Sequence, residues 1–320
     1  MRGGTAPVRP RRRSAHPLGR WARPAWIGLL IAPALAIMVA FVVVPLALAL
    51  AYSFYSWNGV AEGDFIGLEN FRTILFVEPY AGWTRRAFLH NTAVFVALMA
   101  IQNGTAFLIA FLLLKALPGH RVHRVILFLP VVLSNVVVGF VWKLFYNPIF
   151  GFVNQALIAV GLGSWASPWL GQPETAMGSI LIAHAWHWVG FPALVFLAGM
   201  QRVPGETLEA ARLDGAGDWV IMSRIIWPLI APSVTIVFVL TFIGSFNWFE
   251  LPYVMTGLEG SPGGATDVLG LYFYRTAFGN ATSGLQDFGR GSALAVLIFL
   301  VIILFTTIMT RVLRRREIEV

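Results

Sequence analysis

Six apolar runs of membrane-crossing length organise this chain, at approximately residues 25–52, 92–114, 125–145, 178–200, 229–248 and 293–310. About 20 apolar residues in a helix cross roughly 30 Å of hydrocarbon, and a backbone inside lipid must satisfy its own hydrogen bonds. The pattern therefore predicts an all-α polytopic membrane protein with about six transmembrane helices. Pro33 and Pro45 fall inside the first run, which membrane helices tolerate because neighbouring groups re-satisfy the freed backbone. Composition agrees: 58% of residues are apolar and 12% charged, against about 45–50% and about 25% in soluble domains.

Charge placement predicts orientation. Arg2, Arg9, Arg11, Arg12, Arg13, Arg20 and Arg23 precede the first run; Lys115, Arg121 and Arg124 lie between the second and third. Arg202, Arg212 and Arg224 lie between the fourth and fifth, and Arg311, Arg314, Arg315 and Arg316 end the chain. The opposite connections hold only Arg72, Arg85, Arg86, Arg275 and Arg290, with Lys143 near a run end. Basic residues concentrate on the cytoplasmic side, so both termini are expected there, in a bacterial-type cell membrane. The net charge of +8 sits at membrane edges, and no nucleic-acid partner is predicted. The first apolar run is too long for the roughly 7–15-residue core of a signal peptide. Residues 1–24 and 314–320 are read as cytoplasmic tails, the first basic and disordered. The absence of cysteine removes disulfides, thiolate metal sites and cysteine nucleophiles.

One segment breaks the apolar rhythm: ETLEAARLDGAGDWVIMSRIIWPLIAP, residues 206–232. Pro204 and Gly205 open it, and Glu206 and Glu209 in the first turns favour the positive end of a helix dipole. Gly215 suits the positive-φ position that ends a helix, Asp218 is placed to cap a second one, and Pro228 should stop or kink that one. The expectation is a cytoplasmic helix-turn-helix over about 202–228. A headgroup-bound amphipathic hairpin would normally show a Lys/Arg-rich polar face, whereas this segment is acidic as well as basic.

The spacing of EAARLDGA, Ile225, Pro228 and Pro232 closely resembles the coupling loop of permease subunits in ABC importers. It departs from that pattern at Met222, where an aromatic is usual, and at Trp227, where Leu is usual. FIGLENF (65–71), NPIFGFVN (147–154), FLAGMQ (196–201), YVMTG (253–257) and GSALAV (291–296) resemble the carbohydrate branch of the same family. The resemblance covers roughly residues 25–313 as one transmembrane domain. It implies a non-catalytic subunit that moves a sugar delivered by an extracytoplasmic solute-binding protein. It also implies a second homologous permease and a pair of ATP-binding subunits. The chain has no G-x-x-x-x-G-K-[ST] loop of its own, so ATP is expected on a partner and no cofactor on this chain. The resemblance assigns ATPase coupling to Glu209, Ala210, Ala211, Asp214, Gly215 and Ala216, with Glu209 paired to a basic group on the ATPase and Gly215 making the turn.

The substrate path is expected to be uncharged and aromatic, since a sugar offers C–H faces and hydroxyls. His184, Trp186, His187 and Trp188 cluster before Gly190 in the fourth run, and Gly244, Ser245, Asn247 and Trp248 in the fifth. Trp186, His187, Gly190, Gly244, Ser245, Asn247 and Trp248 are the path candidates, the glycines by letting a ligand approach the backbone. Against this, Trp and His near a span end commonly anchor or pack helices, the favoured reading for His184, Trp188 and Trp248 taken singly. The His184/His187 pair lacks a third metal ligand. Lys143 and Glu250, the charges that touch the runs, lie near outer ends. An ion-coupled secondary transporter, which needs charges at mid-membrane, is the first alternative. A membrane-embedded enzyme is the second, lacking a recognisable acid–base set among Glu174, His184 and His187.

Overall fold

The computed structural model describes residues 22–58, 63–115, 119–279 and 286–315. Nearly all of the predicted N-terminal tail and most of the C-terminal one lie outside those residues. By internal contacts the chain divides into two units, Met1–Leu48 and Ala49–Val320. Among the described residues there is no β-strand; an isolated bridge joins Tyr55 to Phe65.

The first unit is represented by most of helix α1 (Ile27–Tyr52), whose side chains from Ile27 to Leu48 are all exposed in the isolated chain. An apolar surface on every side is what lipid or another apolar helix requires.

In the second unit come α2 (Glu69–Phe76), α3 (Tyr80–Leu114), and the pair α4 (Val122–Val132) and α5 (Asn135–Phe145). After α6 (Phe152–Ala159) follow α7 (Pro173–Trp188) and α8 (Gly190–Met200). Then come α9 (Gly205–Leu213), α10 (Asp218–Leu229) and α11 (Ala231–Phe246). The last three are α12 (Glu250–Thr256), α13 (Leu269–Phe278) and α14 (Phe288–Arg314). Helices α1, α3 and α14 are long and apolar enough to cross a membrane, and three bent pairs bring the number to 6 if each is one crossing.

The bends revise the sequence reading. The third run is two helices meeting at 98°, α4 and α5, because Leu133 and Ser134 are extended and the Ser134 hydroxyl caps α5 from Val137 N–H at 3.3 Å. The fourth run bends by 46° between α7 and α8, where Pro192 lacks an N–H for the preceding turn. The third bent pair, α10 and α11, meets at 78° around Ile230, at the start of the fifth run and two residues beyond the stop or kink expected at Pro228. The second run is longer than its apolar stretch: α3 has 35 residues, about 50 Å at helical rise. Its first turns carry Arg85, Arg86 and His90, which hide them from an apolar window.

Polar side chains tie the bundle together. Asn91 donates to the Ser245 carbonyl at 2.6 Å and accepts from Leu269 N–H at 2.8 Å, joining α3, α11 and the start of α13. In the stretch between α1 and α3, Asn70 donates to the carbonyls of Ser53 and Tyr55, both at 2.9 Å. Asp267 and Arg275 form a buried two-pronged ion pair at 2.7 and 2.5 Å. A π-helical turn at Met99–Asn103 interrupts α3, and another at Ile221–Ile226 lies in α10.

Candidate functional site: a neutral cavity and an exposed hairpin

The polar island folds as a helical hairpin. Helix α9 opens after Pro204 and closes at Gly215, whose φ is +82°. Gly215 N–H donates to the Arg212 carbonyl at 3.0 Å and Ala216 N–H to the Ala211 carbonyl at 2.9 Å, satisfying carbonyls that the helix end would orphan. Asp218 begins α10 without capping it through its side chain; its carboxylate instead pairs with Lys115 at the end of α3.

The hairpin has two faces. Ile221, Met222 and Ile226 are buried in a cluster with Phe107, Phe196, Leu197 and Met200, and Leu208, Ala211 and Ala216 pack on its edge. Glu209, Ala210, Asp214 and Gly215 point outward, as do Leu213 at 89% exposure and Trp219 at 71%. Of the six predicted coupling residues, then, four are exposed and Ala211 and Ala216 seat the hairpin on its own body.

Elsewhere in the bundle a cavity of about 620 Å³ opens among α3, α5, α7, α8, α11 and α12. Its polar lining is Gln102, Asn135, His184, Thr241, Ser245, Asn247 and Glu250, and its aromatic lining includes Trp188, Phe191 and Trp248. The His184 ring meets Trp248 edge-on at 5.3 Å and stacks near Trp188 at 6.4 Å. Asn103 donates to the Thr241 hydroxyl at 2.9 Å, and Asn135 donates to the Glu250 carboxylate at 2.5 Å. Three buried atoms of the lining residues have no hydrogen-bond partner: Gln102 Oε1, His184 Nδ1 and Trp248 Nε1. These atoms are themselves buried rather than open to the chamber; what the wall offers a polar guest is its amide and hydroxyl side chains beside aromatic faces.

The sequence candidates divide around this wall. Gly244, Ser245, Asn247 and Trp248 line it, and a Cβ added at Gly244 would meet nothing within 4 Å. Trp186, His187 and Gly190 are not among the lining residues. Trp186 packs on Trp142 at 5.9 Å. His187, 1% exposed, donates from Nε2 to the Leu133 carbonyl at 3.1 Å and so braces the break between α4 and α5. A Cβ at Gly190 would lie 2.1 Å from the Leu127 carbonyl oxygen, so this glycine permits helix approach rather than ligand approach. His184 and Trp188, favoured above as anchors, face the cavity. Gln102, Asn135 and Thr241 were missed. Their signal was an amide or hydroxyl within an apolar run, which is expensive there unless paired or in use.

Bent membrane helices around a polar chamber, with a helical hairpin presented outward, define a membrane transport component. Residues 103–319 match the family described as binding-protein-dependent transport system inner membrane component, and the chain belongs to that family. It is 30% identical over 294 residues to the probable starch degradation products transport system permease protein AmyD of Thermoanaerobacterium thermosulfurigenes, spanning 92% of this chain and 96% of that protein. It is 31% identical over 303 residues to the trehalose/maltose transport system permease protein MalF of Thermococcus litoralis, spanning 92% and 96%. A chain in the crystal structure of a bacterial ABC transporter involved in the import of the acidic polysaccharide alginate shares the fold. Its TM-score is 0.76 at 22% identity, over 92% of this chain and 96% of that one.

Proposed function

We propose that this chain is the membrane-spanning permease subunit of an ATP-driven importer, translocating a sugar handed over by an extracytoplasmic solute-binding protein. The observation that carries this is the cavity wall: aromatic faces of Trp188, Phe191 and Trp248 beside the neutral amides and hydroxyls of Gln102, Asn135, Thr241, Ser245 and Asn247, a chemistry matched to C–H faces and hydroxyls. Sugar transport named for the relatives AmyD and MalF supports the same substrate class. The exposed face of α9, with Glu209, Leu213 and Asp214, and the exposed Trp219 are the proposed seat for an ATP-hydrolysing subunit. A second, similar permease completes the pathway, and the chain itself does no covalent chemistry. Both termini and the hairpin are assigned to the cytoplasmic side.

The test is affinity purification from the native membrane, with identification of co-eluting chains and an ATPase assay. Recovery of a second permease and an ATPase is expected, with the ATPase lost on Glu209→Lys while membrane insertion persists. A lone chain without ATPase, or normal uptake by Glu209→Lys at native expression, overturns the assignment.

A further inference from the structure

Glu250 is the only charged side chain among the described residues lining the cavity. It opens α12 immediately after the wall residues Trp248 and Phe249, and Asn135 of α5 holds one of its oxygens at 2.5 Å. No lysine or arginine lines the chamber to balance it. An ionised carboxylate is an acceptor only, able to use both oxygens, so it welcomes hydroxyl donors. It repels a second anion, and the Glu250 side chain is exposed enough in this chain to meet one. Gln102, Thr241, Ser245 and Asn247 add neutral amide and hydroxyl groups to the same lining without adding charge.

We propose that the site takes neutral glycans and that Glu250 makes it refuse acidic ones, those carrying carboxylate, sulfonate or phosphate. This rests on the sugar-importer reading above. The fold alone does not decide the matter, because the alginate transporter, described as importing an acidic polysaccharide, has the same fold. The charge of the lining decides it. Glu250 is assigned as a specificity-determining residue facing the solute.

The experiment uses the assembled transporter. Neutral di- and trisaccharides (maltose, maltotriose, cellobiose, chitobiose) are screened for binding to the permease–ATPase complex without its binding protein, and for ATP-driven uptake by the complete system. The best-bound sugar is then compared with its C6-oxidised uronate counterpart. Wild type is expected to bind the uronate at least about 100-fold more weakly, a gap of about 2.7 kcal/mol. Glu250→Gln should close that gap to within about tenfold while weakening the neutral sugar a few-fold, and Glu250→Asp should preserve the gap. An equal gap in wild type and Glu250→Gln, or a uronate bound as well as its neutral parent by wild type, overturns the role of Glu250 and leaves the importer reading intact. Absence of ATP-driven uptake and of binding for every neutral and acidic sugar overturns the importer reading, and the inference with it.

Discussion

The hairpin of α9 and α10 and the cavity beneath α12 are opposite kinds of site. The hairpin is one stretch of about 25 consecutive residues, and its outward face leaves Leu213 and Trp219 uncovered. The cavity gathers residues from six helices, spread from Leu98 to Leu251. A contact made with another protein needs a contiguous surface, whereas a chamber for a small polar solute needs convergent groups on separate supports. The difference teaches that motif spacing speaks for the first kind of site and packing for the second.

The contrast breaks most easily at Gly215. Proline there cannot adopt φ near +82°, since its ring fixes φ near about −65°. Gly215→Pro should reduce uptake to background while leaving membrane insertion and solute binding in place; uptake assays beside surface expression check this. A smaller effect is expected in the cavity. Trp248→Phe keeps an aromatic side chain but shrinks the face that lines the chamber, and should lower solute affinity by about tenfold. Basal ATPase activity, read in the same preparation, should persist.

Gly190→Val separates packing from binding. The added carbon would strike the Leu127 carbonyl, and overpacking of this kind costs about 1–3 kcal/mol. Thermal unfolding should register the loss as a lower Tm, and any surviving protein should bind solute with unchanged affinity. Smallest of all, Trp186→Ala should leave solute affinity within about twofold, since its ring rests on Trp142 outside the cavity wall. A large affinity loss there, measured by equilibrium binding, would redraw the wall.

These outcomes bear on what the sequence could say. The helical class, the hairpin and its Gly215 turn were legible because hydropathy, caps and motif spacing are local. The break at Leu133–Ser134 was not, because α4 and α5 form one continuous apolar run and only the cap and the His187 brace reveal the bend. Gly190 and Gly244 looked alike in sequence, yet one abuts a carbonyl and the other faces empty space. That distinction depends on which neighbour arrives from elsewhere in the chain. Likewise Asn135 acquires a meaning only when α12 brings Glu250 to it.

The wide turn at Met99–Asn103 gives α3 a property of its own. A π turn holds one more residue than the α-helix around it needs, so the two halves of α3 share an axis but differ in phase. The N-terminal half keeps Phe95 against Phe242 and Phe305, the C-terminal half keeps Phe107 against Phe196 and Trp227, and Gln102 sits at the seam. Deleting a single residue there would turn the C-terminal half by about 100° and swing Phe107 away from both partners. Helix α3 is in this respect a mechanical gauge. Its length can change harmlessly in neither direction, because one surplus residue keeps the two ends of the molecule meshed with their different neighbours.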